Sequence, residues 1–151
     1  NCRNYGYFYF GGFFMNFIKL KLVEVNLNGL PPTVNQMYRN AGTHIRYKTK
    51  KTREYQEYAV KAIKEARRIP CTFTGRVALE VHLHVADKRK WDIDNRLKVL
   101  QDCLQMAGVI KDDSQIDSII ADRVDTSDEA CTVIAVIGLL ERPKFERNEE
   151  D

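Results

Sequence analysis

Val77-Ala78-Leu79-Glu80-Val81-His82-Leu83-His84-Val85-Ala86 places an aliphatic side chain at every second position. Successive side chains on a strand point to opposite faces, so this period of two predicts a strand with one face on a core and the other toward water. Helices are then needed on one side of the sheet only. Downstream, Leu97, Leu100, Cys103, Leu104 and Ala107 recur at helical spacing, predicting a helix over residues 94–107 that stops at Gly108. Upstream, Tyr55, Tyr58, Ala59, Ala62, Ile63 and Ala66 form the inward stripe of a helix capped by Thr49 or Thr52, running to about residue 68 before Pro70.

Residues 17–27 alternate in one phase at Ile18, Leu20 and Leu22 and in the other at Val23, Val25 and Leu27, which predicts a strand with a bulge. Residues 33–48, rich in Asn, Arg and Tyr with Gly42 inside, read as a long loop. Residues 119–125 and 132–139 read as two more strands joined through a polar stretch. The order β-α-β-α-β-β gives an α+β fold, a two-layer sandwich of a mixed β-sheet with two main helices on one face.

The 151 residues suffice for one domain with a real core. We expect it to span residues 15–140. Residues 1–14 crowd Tyr and Phe between glycines without the charge pattern of a signal peptide, and Met15 reads as a natural start, so they are expected to be a non-native or mis-assigned extension. Residues 141–151 read as a charged, disordered tail. Cys2, Cys71, Cys103 and Cys131 show neither zinc spacing nor a Cys-x-x-Cys pair, and buried thiols in a reducing, cytoplasmic setting are expected. No apolar run reaches membrane-spanning length.

The formal charge of +3 is modest, but its distribution is uneven. Basic residues concentrate between positions 39 and 68 and at Lys88, Arg89 and Lys90, while acids gather over residues 112–128. Asp92 and Asp94 stand between the basic tract and a helix start, pointing the same way if the chain is extended there. Lys98 follows Asp94 by one helical turn and Asp102 follows Lys98 by another. A short return after Gly108 is expected to bring a third carboxylate from Asp112 or Asp113 to the first two. Carboxylates so gathered repel one another unless a cation joins them, and an all-oxygen set suits Mg²⁺, with Mn²⁺ as an alternative. Such an ion activates water against a phosphodiester, with Lys98 offsetting transition-state charge. Lys88, Arg89 and Lys90, with Arg39, Arg46, Lys48, Lys50, Lys51 and Arg53, are the expected DNA-binding cations, and Tyr38 and Tyr47 are placed to stack on unpaired bases.

These residues resemble the RusA family of Holliday junction resolvases. Asp92-Ile93-Asp94-Asn95 is similar to that family's Asp-x-Asp-Asn signature, with Lys98 at its lysine, Gly108 at its helix-end glycine and Asp112-Asp113 at its paired aspartates. Pro31-Pro32, Asn35 and Tyr38-Arg39 are similar to its N-terminal elements. The resemblance implies that Asp92, Asp94 and Asp113 are metal ligands and Lys98 the catalytic lysine. It also implies a homodimer that cleaves branched DNA in recombination or repair, in a phage-derived setting. No organic cofactor or membrane partner is expected.

Blander readings stand beside these. A single Asp at a helix start serves more often as an N-cap than as a ligand, and Asp94 can do both. His82 and His84 fall on the outer strand face, and Trp91 either packs under the acidic loop or faces substrate. Another metal-dependent nuclease acting on structured DNA or RNA, or a non-catalytic junction-binding protein, are the rival functions.

Overall fold

The computed structural model describes residues 7–10, 13–16, 19–41, 45–126 and 128–139. The alternating stretch forms β6 (Arg76–Val85), with Val77, Leu79, Val81, Leu83 and Val85 buried and the residues between them only partly so. β6 lies between β7 (Ile116–Asp125), which it pairs in parallel, and β8 (Cys131–Leu139), which it pairs antiparallel. Beyond β8 lies β3 (Lys19–Asn28), completing a mixed four-stranded sheet in the order β3-β8-β6-β7. The register of β3 on β8 shifts between Lys21 and Val23, so both Leu22 and Val23 are fully buried, as the phase change in the sequence predicts. β1 (Tyr7–Phe10) and β2 (Phe13–Asn16) pair as a separate antiparallel ribbon.

α2 (Lys50–Ala66) and α3 (Asp94–Met106) cover the face that carries the β6 aliphatics. Thr49 is the cap of α2, its hydroxyl oxygen accepting from Thr52 N at 3.3 Å. Ala59 and Ile63 from α2 and Val99, Leu100, Cys103 and Leu104 from α3 join Leu22, Leu79, Val81, Ile134 and Val136 in one core. Full burial of each large aliphatic contributes about 1.5–3 kcal/mol, which is why the single-sided sheet holds its helices. The two-layer α+β arrangement is the one expected. The tail over residues 141–151 and most of residues 1–14 lie outside the described residues.

Residues 33–48 are not one long loop. They contain a short helix α1 (Val34–Met37), a strand β4 (Tyr38–Ala41) and a strand β5 (Ile45–Lys48), with Arg39 opposite Tyr47 and Asn40 opposite Arg46. Tyr38, Ile45 and Tyr47 are exposed on this ribbon. A ribbon wetted on both faces has no inward side to impose alternation, so the pattern that reveals β6 is missing here. β7 starts at Ile116, opposite Val77 and three residues before the expected Ile119, and Asp117 accepts from Arg76 Nε at 2.8 Å across the strand pair. Among the described residues no helix is long and apolar enough to cross a membrane.

Candidate active site

The chain leaves β6 at Val85 and re-enters regular structure at Asp94, the first residue of α3. Asp87 opens this connection by accepting from the Arg89 backbone N–H at 3.0 Å and from Arg89 Nε at 2.8 Å. Those Arg89 hydrogen bonds hold the Asp87 carboxyl below the usual carboxylate range. Lys88, Arg89 and Lys90 are all exposed, and Arg89 pairs at the surface with Asp87.

Ile93 is the N-cap of α3 and already helical, at φ −62° and ψ −45°. Asp94 is therefore no N-cap; it sits in the first turn, where the helix dipole favours an anion. Nor does extended-chain alternation aim Asp92 and Asp94 alike. Both nonetheless line one shallow cleft of about 680 Å³, with Trp91, Ile93 and Leu97 beside them and Ile119, Ala121 and Arg123 of β7 opposite. Asp92 is steadied by Asn95, whose Nδ2 donates to Asp92 Oδ2 at 3.3 Å.

One turn along α3, Lys98 Nζ donates to Asp113 Oδ2 at 2.7 Å and lies 3.1 Å from Asp102 Oδ1. The hydrogen bond to Asp113, followed by that to Asp102 against a small burial cost, raises the Lys98 pKa above the ordinary lysine value. Asp113 arrives there because α3 ends abruptly. Gly108 takes φ +71°, a left-handed conformation that a side chain strains against, and the next amide, Val109 N, turns back to Leu104 O at 3.0 Å. Asp112 then caps a single 3-10 turn (Asp113–Gln115) by accepting from Ser114 N at 2.8 Å, and hydrogen bonding from the Ser114 side chain, then from its backbone, lowers the Asp112 pKa.

Buried Gln115 fixes that turn to the sheet. Its Oε1 accepts from Lys111 N at 2.7 Å and Asp112 N at 2.9 Å, while its Nε2 donates to Phe73 O and Gly75 O, each at 2.8 Å. All four polar capacities of the amide are used.

The structure places Asp92 and Asp94 in the lining of one cleft and Asp113 on Lys98, and does not gather the three acids into one cluster. Among the described residues no three Asp, Glu, His or Cys side chains stand together closely enough to hold a metal ion. In this arrangement Asp113 is paired with the Lys98 ammonium. The donor chemistry still fits a hard divalent ion, since Asp92 and Asp94 are exposed oxygen donors and Mg²⁺ needs only one or two carboxylates besides water and substrate phosphate.

Among the remaining expected cations, Arg39, Arg46, Lys50, Lys51 and Arg53 are exposed, Lys50 lying 3.7 Å from Glu54. Lys48 instead donates to Gln56 Oε1 at 2.9 Å and anchors the β4–β5 ribbon to α2. His82 lies on the sheet face away from the helices, its Nδ1 2.6 Å from Asp122 Oδ1 of the paired strand.

Three residues escaped sequence reasoning: Gln115, Arg96 and Arg123. Arg96 donates through Nη1 to Pro31 O, joining α3 to the segment that leads into α1. Arg123 shares the inward phase of Ile119 and Ala121, and an arginine in an apolar phase was the available signal.

The family model described as Endodeoxyribonuclease RusA matches residues 29–137. A crossover junction endodeoxyribonuclease of Enterobacteria phage HK97 is 33% identical over 89 residues, covering 59% of this chain and 72% of that protein. The crossover junction endodeoxyribonuclease of Aquifex aeolicus (strain VF5) is 30% identical over 104 residues, covering 65% of this chain and 77% of its own. A match that begins at the turn after β3 and runs into β8 takes in every element building the cleft, and this chain accordingly belongs to the RusA family of endodeoxyribonucleases.

Proposed function

We propose that this protein is a Mg²⁺-dependent endonuclease that resolves four-way DNA junctions by symmetric phosphodiester hydrolysis, acting as a homodimer through the domain at residues 15–140. The observation that carries the reading is the cleft itself: Asp92 and Asp94 exposed at its wall, with a charged Lys98 one helical turn away, in a chain of this nuclease family. Relatives named for junction cleavage support the choice of substrate. Cytoplasmic action in recombination or repair, in a phage-derived setting, is the corresponding biological role.

Asp92 and Asp94, with Asp113 as the third carboxylate, are the residues that would hold Mg²⁺ or Mn²⁺. When bound, the ion supplies Lewis-acid polarisation of a phosphate oxygen and a water of lowered pKa. Lys98 remains protonated at neutral pH and offers its ammonium to the charge that develops on the phosphoryl oxygens. To reach phosphate it relaxes its hold on Asp113, while Asp102 keeps it on the correct face of α3. Asn95 orients Asp92. Arg39, Arg46, Lys50, Lys51, Arg53, Lys88, Arg89 and Lys90 supply exposed charge for the DNA backbone, with half-buried Lys48 beside them, and a twofold pair of clefts matches a twofold-symmetric substrate.

The test compares four-way junctions, linear duplex and RNA with purified protein in Mg²⁺, with and without a chelator. Chelator-sensitive cutting confined to the junction is expected, with Asp94→Asn binding the junction but failing to cut it. Equal cutting of duplex or RNA would mean a broader nuclease. Junction binding that no metal converts to cutting would mean a binding protein.

A further inference from the structure

Trp91 carries two guanidiniums. Arg123 Cζ lies 4.1 Å from the ring centroid and Arg96 Cζ 4.5 Å from it, while the indole also packs against the core. With cations over it and the core beside it, Trp91 serves as a mount for arginines rather than as a platform for a base. Cation–π contacts of this kind hold a guanidinium plane in a chosen orientation.

The two arginines differ in what they have left to give. Arg96 is half-buried and bonded to Pro31 O, and burial lowers its pKa. Arg123 is exposed, lines the cleft, and donates one Nη2 bond to the Trp91 carbonyl. A guanidinium has five N–H donors, so most of this one remains available toward the cleft. Among the described residues Arg123 forms no ion pair, although Asp92 and Asp94 line the same cleft. A preoriented cation that the neighbouring acids do not neutralise suits a mobile anion with two paired acceptor oxygens, as a phosphodiester presents in its non-bridging oxygens.

We propose that Arg123, mounted on Trp91, binds a phosphate of the DNA strand entering the cleft and so sets that strand against Asp92 and Asp94. The proposal rests on the nuclease reading above and adds a substrate-binding residue to it. It assigns Arg123 a contact through charge and shape, and assigns Trp91 the role of positioning residue.

The experiment measures equilibrium binding of a fluorescent four-way junction, without divalent metal, across about 50 to 200 mM salt. Wild type is compared with Arg123→Gln, Arg123→Lys and Trp91→Leu. Arg123→Gln is expected to weaken binding about tenfold at the low-salt end. It should also make the slope of log K against log salt shallower by about one for each arginine that engages. Arg123→Lys keeps the slope but binds more weakly, because an ammonium is not held flat on the ring. Trp91→Leu weakens binding while Arg123 keeps its charge.

A merely structural arginine, propping the loop through the Trp91 carbonyl, would give Arg123→Gln a lower melting temperature with an unchanged slope. That outcome overturns the proposal, as does a variant indistinguishable from wild type. Failure of the wild-type chain to bind DNA removes the parent reading and this one together, whereas normal wild-type binding with equal slopes removes this one alone.

Discussion

Lys98 is shared between two carboxylates, and that sharing sets what its loss should do. Lys98→Met leaves Asp113 and Asp102 without their common cation while removing the ammonium from the cleft's flank. We expect junction cutting to fall at least a hundredfold, the scale seen when one transition-state donor is removed, with junction affinity little changed. Single-turnover cleavage and gel-shift titration separate the two effects. Cys103 gives a second residue-level prediction. Burial, helped by the Asp102 charge and opposed by Lys48, pushes its thiol pKa up to about 12, while an unfolded chain releases that proton near about 8.5. The raised value means that the stabilising contribution is intact below the unfolded pKa and is lost as pH rises toward the folded one. Urea unfolding at about pH 10 should therefore show up to about 2 kcal/mol less stability than at pH 8, and Cys103→Ala should flatten that dependence. Thiol reagent at pH 8 should modify exposed Cys71 first and reach Cys103 only after unfolding.

At the scale of elements, the turn that presents Asp113 depends on one amide. Gln115→Leu strands the backbone donors of Lys111 and Asp112 and the carbonyls of Phe73 and Gly75. Each part-buried hydrogen bond contributes about 0.5–1.5 kcal/mol net, so a loss of about 2 kcal/mol or more in urea unfolding is expected, with cutting reduced because Asp113 is no longer held to Lys98. That dependence could not be read from the sequence, since Gln115 meets residues some forty positions earlier. Asp92, Asp94 and Lys98 could be picked out together because they fall within seven positions around the start of one helix, although the extended-chain reason for pairing the first two does not hold. β6 was legible because burying one face imposes a period of two on its residues. β4 and β5 were hidden for the converse reason: Ile45 and Tyr47 are exposed, and nothing in a doubly wetted ribbon selects which positions are apolar. Arg123 reaches Trp91 across 32 positions, so its pairing emerges only once β7 lies beside the β6–α3 connection.

At the scale of the whole molecule, one chain carries one copy of Asp92, Asp94 and Lys98, and a four-way junction requires two incisions in strands of like polarity. If two copies supply one cleft each, the cuts are chemically separate even when binding is joint. Mixing wild type with Asp94→Asn and allowing subunits to exchange should then produce dimers that bind a junction fully but cut it once. On a supercoiled plasmid extruding a cruciform, wild type alone should yield linear product, as expected of two active clefts acting on one junction. The mixed population should instead accumulate nicked circles, most abundantly at equal input of the two chains. If a single chain performed both incisions, added Asp94→Asn protein would only dilute the activity, and linear product would fall without nicked circles rising in its place.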